Sequence, residues 1–228
     1  GKTVQALALL AHAIEEHRAA SERAAERGKS VEPFAPFLVV APTSVITNWA
    51  AEAERFLPEA KVVTITETTA GKTPLAERVA GAHLVLTSYT LLRMDEDAYT
   101  GYARTLGGGI DKHTVDERTG ELSAPEGWGA LLLDEAQFVK NTGTRAWSIA
   151  RAMPARAKIA MTGTPIENNL MELWALLAIV ADGLFPSARA FRDLYARPAE
   201  SGEDPAHAAA TAARLRRRIR PLMLRRTK

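Results

Sequence analysis

Five short apolar runs of strand length, Phe37–Ala41, Val62–Thr66, His83–Thr87, Ala130–Asp134 and Lys158–Thr162, recur along the 228 residues, each bounded by turn residues or polar segments. Between them apolar residues return at helical spacing. Val4, Leu7, Ala8, Ala11 and Ile14 mark one face, and Val45, Trp49, Ala53 and Phe56 mark another that Pro58 stops. Strands that read as continuous apolar runs are buried on both faces, and strands that alternate with helices join in parallel. The expected fold is therefore α/β, a mostly parallel sheet with helices on both faces. With 46% hydrophobic side chains, the chain can bury one large core, or one core and a small appendage.

Two regions break the alternation. From about Asp95 to Trp128 the chain is polar and glycine-rich, with Gly107-Gly108-Gly109 leading into His113–Leu122, and it reads as a surface insertion, either a small hairpin or a loop. After Gly183 helical spacing returns. Asp204 is placed to cap a helix that starts at Pro205, keeps Ala208, Ala212, Leu215 and Ile219 on one face, and ends at Pro221. The expected organisation is a nucleotide-binding lobe over residues 1–182 and a helical extension over 183–228.

Composition excludes several chemistries. The chain has no cysteine, which removes disulfides, thiol catalysis and cysteine-bound zinc, and fits a reducing cytoplasm. His12, His17, His83, His113 and His207 are scattered, with no two at metal-ligand spacing. The longest apolar stretch, Leu173–Ala181, is too short to cross a bilayer, so no membrane partner is expected. The net charge of +2 hides an asymmetry: eight of the 29 basic residues lie between Thr211 and Lys228 with no acid among them, leaving 21 against all 27 acids elsewhere. A mildly acidic body argues against a general polycation and leaves localised phosphate contacts.

The chain opens Gly1-Lys2-Thr3 and runs straight into an apolar helix. In a phosphate-binding loop of pattern G-x-x-x-x-G-K-[ST], backbone N–H groups approach the phosphates, the lysine reaches the β and γ phosphates, and the hydroxyl ligates Mg²⁺. Three residues are a weak match. Leu131-Leu132-Leu133-Asp134-Glu135 strengthens it, because an apolar strand ending in two acids lets the first carboxylate hold Mg²⁺ and the second polarise the attacking water. In a parallel sheet that strand end is also where ligands bind. Phosphoryl transfer from a triphosphate to water is the expected reaction.

Beyond these residues, LVVAPTSVITNWAAEAERF (Leu38–Phe56), VLTSYTLLR (Val85–Arg93), LLLDEAQFVKN (Leu131–Asn141), MTGTPIENNLMELWALLAIV (Met161–Val180) and LMLRRTK (Leu222–Lys228) follow one another along the chain. Together they resemble the ordered motifs of the first lobe of Swi/Snf-type ATPases of helicase superfamily two. The TGTPIENNLMELW block and the terminal LRRTK are the most specific pieces. The resemblance implies a RecA-like P-loop NTPase lobe with its first P-loop strand missing, acting as a DNA-dependent ATPase whose site a second RecA-like lobe completes. It also implies roles: Gly1, Lys2 and Thr3 for phosphate, Thr3 and Asp134 for magnesium, and Glu135 for the hydrolytic water. Gln137, where many relatives have histidine, would couple the γ phosphate to Thr162-Gly163-Thr164, the segment that links hydrolysis to lobe movement. The cofactor is then Mg²⁺ and the nucleotide ATP.

Contacts to the DNA backbone are expected from Pro42, Thr43 and Ser44, which open a helix, and from Thr87, Ser88 and Tyr89 after another strand, with Lys140 and Asn141 as further candidates. Such contacts ignore base identity. Helix capping is the alternative reading of Thr43 and Ser44, and capping is the expected role of Asn168 and Asn169. Trp49, Trp147 and Trp174 read as core. Two other classes stand against the motor reading: a kinase or GTPase built on the same loop, which needs neither the TGTP block nor the LRRTK ending, and a binding module that has lost turnover.

Overall fold

The computed structural model describes residues 1–29, 33–70, 72–106, 127–163, 169–201 and 204–224. By their internal contacts the residues form two compact units, Gly1–Gly163 and Thr164–Lys228.

The first unit is built on five parallel strands, β1 (Phe37–Ala41), β2 (Val62–Thr64), β3 (Leu84–Ser88), β4 (Ala130–Leu133) and β5 (Lys158–Ala160), in the order β2-β3-β1-β4-β5. Each of the five apolar runs of the sequence contains a strand, though β2 and β5 stop two residues short of the runs expected for them. Among the described residues the pairing runs without interruption from β2 to β5.

Helices α1 (Lys2–Glu26) and α2 (Thr43–Phe56) cover one face. There Ala6, Leu7 and Leu10 of α1 and Ile46, Trp49 and Ala53 of α2 form one buried cluster with Phe37, Val39, Leu84, Leu86, Ala130 and Leu132. The buried stripe of α1 is rotated from the sequence expectation: Ala8 is exposed, and Ala6 and Leu10 take its place. Alanine fits either side of a helix boundary, so apolar spacing alone does not fix the phase in so Ala-rich a helix. Phe56 is likewise exposed and lies under the Arg55 guanidinium.

The alternate strand residues, Leu38, Val40, Val85, Thr87, Leu131 and Leu133, are also buried and point to the opposite face. The helices that follow are α3 (Leu75–Arg78), α4 (Tyr89–Met94), α5 (Glu96–Thr105) and α6 (Arg145–Ala152). On α5, Tyr99 is fully buried, and its hydroxyl lies 2.6 Å from the Thr87 hydroxyl. Burial pushes the Tyr99 phenol up to about 12. This corrects the reading of residues 95–128 as a surface insertion at both ends. Residues 96–105 are a helix with Tyr99 and Ala103 buried, and Trp128 is buried against Tyr102 with ring centroids 5.1 Å apart. Residues 107–126 lie outside the described residues.

In the second unit, α7 (Leu170–Val180) is buried along Leu173–Ile179 and capped by Asn169, whose side-chain oxygen accepts from the N–H of Met171 at 2.9 Å. Asn168 lies outside the described residues. Helices α8 (Ala188–Phe191) and α9 (Arg197–Ser201) flank a π-helical turn, Arg192–Ala196, and α10 (Pro205–Ile219) follows. Phe185, Phe191 and Tyr195 pack ring to ring, with the Arg218 guanidinium 4.9 Å from the Phe185 ring and Arg214 5.4 Å from Tyr195. Asp204 caps α10 by accepting from the N–H of His207 at 3.0 Å, and Leu215 and Ile219 are buried, as the sequence pattern implied. No described helix is long and apolar enough to cross a membrane.

Candidate functional site

In a parallel sheet every strand delivers its following loop to the same edge. The register pairs Ala41 with Ser88, Val40 with Leu133, and Leu133 with Ala160. Four segments therefore emerge side by side: Pro42–Ser44, Ser88–Tyr89, Asp134–Gln137 and Met161–Gly163.

Asp134 follows β4 and is buried, only 6% exposed. Its backbone N–H donates to Val40 O, continuing the strand pairing by one residue. Both side-chain oxygens are engaged: Oδ1 accepts from the Glu135 N–H and Oδ2 from the Trp49 indole Nε1–H, each at 2.9 Å. A buried carboxylate without such partners would be costly.

Glu135 has φ 47 and ψ 55 and is the one non-glycine residue with positive φ among those described. The left-handed region costs an L-residue on the order of 1–2 kcal/mol, and it persists only where the surroundings impose it. Here the N–H groups on either side impose it: Glu135 N–H is tied to Asp134 Oδ1, and Ala136 N–H donates to Met161 O. The kinked turn starts the 3₁₀ segment Ala136–Val139 and turns the Glu135 side chain toward α1.

There Glu135 Oε1 lies 4.0 Å from Lys2 Nζ. Lys2 is the first residue of α1, with Gly1 at its N-cap and Thr3, half-buried, after it. A side-chain carbon on Gly163 would stand 3.7 Å from the same amine. Glu135 Oε2 accepts from Gln137 Nε2 at 2.9 Å, and Gln137 Oε1 accepts from the Thr162 hydroxyl at 3.1 Å. Lys2, Glu135, Gln137 and Thr162 thus form one continuous polar chain from the start of α1 to the residues after β5. Thr164 lies outside the described residues.

The segments expected to meet DNA are placed unequally. Thr43 and Ser44 are exposed in the first turn of α2, whose N-cap is Pro42, and no side chain caps that helix. The capping alternative for Thr43 and Ser44 is therefore not realised. Thr87, by contrast, is buried with its hydroxyl on Tyr99, and Ser88 is buried as the N-cap of α4, accepting from Leu91 N–H at 3.1 Å. Tyr89 is buried too: its hydroxyl donates to Asp134 O at 2.9 Å, and its ring stacks on Phe138, centroids 5.3 Å apart. Burial, with the Asp134 and Glu135 carboxylates behind it, holds that phenol well above its ordinary value. The side chains of residues 87–89 are thus turned into the interior and bonded there. Lys140 and Asn141 are exposed just beyond the 3₁₀ segment, and Asn141 Oδ1 accepts from Gly143 N–H at 2.9 Å.

Two participants were missed in the sequence. Trp49 was assigned to the core, and it is there, but its indole N–H also reaches Asp134; the available signal was that a buried indole N–H needs an acceptor. Tyr89, a candidate for DNA contact in the sequence, also touches the acidic turn through its hydroxyl.

A family model described as SNF2-related domain matches residues 1–228. The chain is 33% identical over 241 residues to the chromatin-remodeling ATPase INO80 of Arabidopsis thaliana and 30% identical over 240 residues to that of Homo sapiens; each match covers 100% of this chain and 13% of the relative. It therefore spans only a small part of the length of these relatives. Among solved structures it is similar to the Sulfolobus solfataricus SWI2/SNF2 ATPase core in complex with dsDNA, with a TM-score of 0.70 and 27% identity over 100% of this chain and 38% of that one. A parallel five-stranded sheet with helices on both faces, matched along its whole length in sequence and in fold, leaves one assignment: the chain belongs to the SNF2-related domain family, as a RecA-like lobe of the Swi/Snf type.

Proposed function

We propose that this chain is the ATP-hydrolysing motor lobe of a DNA-translocating ATPase, with residues 1–182 as the nucleotide-binding part and 183–228 as a helical extension leading toward a second RecA-like lobe. The observation that carries the reading is the polar chain Lys2–Glu135–Gln137–Thr162 beside the buried Asp134. It joins residues far apart in sequence at the one edge of a parallel sheet where ligands bind.

The donor set suits Mg²⁺. Each Asp134 oxygen accepts one hydrogen bond and keeps a lone pair, and Thr3 supplies a hydroxyl nearby in sequence to Lys2. Among the described residues no three His, Cys, Asp or Glu side chains cluster as a metal cage. A single buried carboxylate is enough for Mg²⁺, which is usually held by one or two carboxylates together with phosphates of the substrate. When bound, Mg²⁺ neutralises charge on the β and γ phosphates.

The protein's own contributions follow from charge and reach. Gly1, Lys2 and Thr3 at the N-terminus of a 25-residue helix receive the triphosphate, the helix adding its positive end. Lys2, now beside Glu135, exchanges that carboxylate for phosphate and so leaves Glu135 to take the proton of the attacking water. Gln137 carries the state of the γ phosphate to Thr162, Gly163 and Thr164. Thr43 and Ser44, exposed at the start of α2, receive a DNA backbone phosphate together with the half-buried Pro42 before them, with Lys140 and Asn141 as further contacts and residues 87–89 acting from beneath.

The lobe alone turns over slowly, because an arginine supplied from outside such a site is worth about 10³–10⁵ in rate. A compartment without disulfide chemistry, the cytoplasm or its nucleoid or nuclear counterpart, fits the absence of cysteine. The test is ATP turnover by the full-length protein with and without duplex DNA. DNA should raise the rate, and Lys2→Ala should abolish it; equal rates with and without DNA together with an unaffected Lys2→Ala variant would overturn the proposal.

A further inference from the structure

Trp49 is a large, fully buried side chain, 1% exposed, in the cluster between α2 and the sheet. A phenylalanine ring would pack there with no polar atom to satisfy, whereas a buried indole N–H needs an acceptor. The indole instead places its one N–H 2.9 Å from Asp134 Oδ2, in a bond buried from solvent and spanning 85 residues of sequence. The other oxygen, Oδ1, is held by the Glu135 N–H. With a donor on each oxygen, the plane of the carboxylate is fixed and only one lone pair on each oxygen stays open.

Resting on the proposed ATPase site, we propose that Trp49 is a positioning residue for Asp134: its indole N–H sets the orientation in which that carboxylate meets Mg²⁺, and so ties the metal site to α2. The helix makes this connection mechanical. Trp49 stands six residues beyond Thr43, less than two turns along the same rigid element whose first turn is exposed. A shift of α2 moves the indole, and the indole moves the carboxylate. No other described side chain makes a hydrogen bond to Asp134 Oδ2.

The experiment uses full-length protein with Trp49→Phe, which keeps an aromatic ring and removes the N–H, and a second form carrying benzothienylalanine at position 49, which preserves the bicyclic shape and replaces N–H by sulfur. Three quantities are read: melting temperature, the Mg²⁺ concentration for half-maximal turnover, and the Mg²⁺ concentration for half-maximal binding of a fluorescent ATP analogue. Outer partners of metal ligands are typically worth about 10–100-fold in metal affinity or activity. Both half-saturation values should rise by about tenfold or more in both forms, while analogue binding without metal stays as in the parent. Unchanged Mg²⁺ dependence in a folded benzothienylalanine form overturns the inference, even if Trp49→Phe is unstable. A parent protein that turns over ATP normally alongside that result leaves the ATPase reading standing; a parent with no Mg²⁺-dependent turnover overturns both.

Discussion

The hydroxyl of Tyr89 donates to the backbone oxygen of Asp134 across 2.9 Å, joining the turn after β3 to the acidic turn after β4 inside the fold. The adjoining Ser88 side chain caps α4, tying the strand end to the first turn of that helix. Any displacement of that turn reaches Asp134 through a single buried bond. Tyr89→Phe keeps the ring stacked on Phe138 and leaves the Asp134 carbonyl without this donor. Stability should fall by about 1–3 kcal/mol in denaturant unfolding. The ratio of DNA-stimulated to unstimulated turnover should fall as well; a variant with the parent's stability and the parent's ratio would remove this bond from the account.

Gln137 is bonded through both ends of its amide, its nitrogen to Glu135 and its oxygen to Thr162. Gln137→Ala breaks both links at once and should lower turnover about tenfold or more. Gln137→Glu should do worse, since a second carboxylate cannot donate to Glu135 and repels it. Gln137→His retains a donor and an acceptor and should recover much of the rate. If the alanine and histidine variants turn over equally, the amide bridge has no part in the reaction.

His83 lies at the opposite end of the sheet from these residues, where its Nδ1 accepts from the Lys61 N–H at 2.9 Å. Burial pushes the imidazole below its ordinary 6.5, and His17 adds to the effect. The unfolded chain therefore binds this proton at a higher pH than the folded one does. As pH falls through about 6.5 the unfolded state gains a proton first, and stability declines until the lower folded value is reached. His83→Gln, which can still accept from Lys61, should show a smaller drop in melting temperature between pH 7.5 and pH 5.5 than the parent. An identical drop in the two proteins would contradict this.

The three inner strands were legible because each is buried on both faces, and a run such as Leu38-Val39-Val40 leaves little else to choose. Helix α10 was legible because its start and end carry the chemistry of a cap and a stop, Asp204 and Pro221. The site was legible in its acids and its lysine, whose spacing a family pattern carries, but not in what holds them. Trp49 reads as an ordinary core residue because one side chain can fill a cluster and still spend its only N–H on a carboxylate. Thr87 and Ser88 read as surface hydroxyls, yet a strand end can bury its polar side chains when a neighbouring helix supplies partners, here Tyr99 and the N–H of Leu91. The left-handed turn at Glu135 left no mark at all, since glycine or asparagine is the residue that normally signals it.

The most direct measurement is an experimental structure of the full-length protein with Mg²⁺ and a non-hydrolysable ATP analogue. Lys2 should have left Glu135 for the β and γ phosphates, with Asp134 facing the metal, still bonded to the Trp49 indole, and Glu135 facing the γ phosphate. A triphosphate bound away from the start of α1, with Lys2 still beside Glu135, would contradict the assignment of this edge as the nucleotide site.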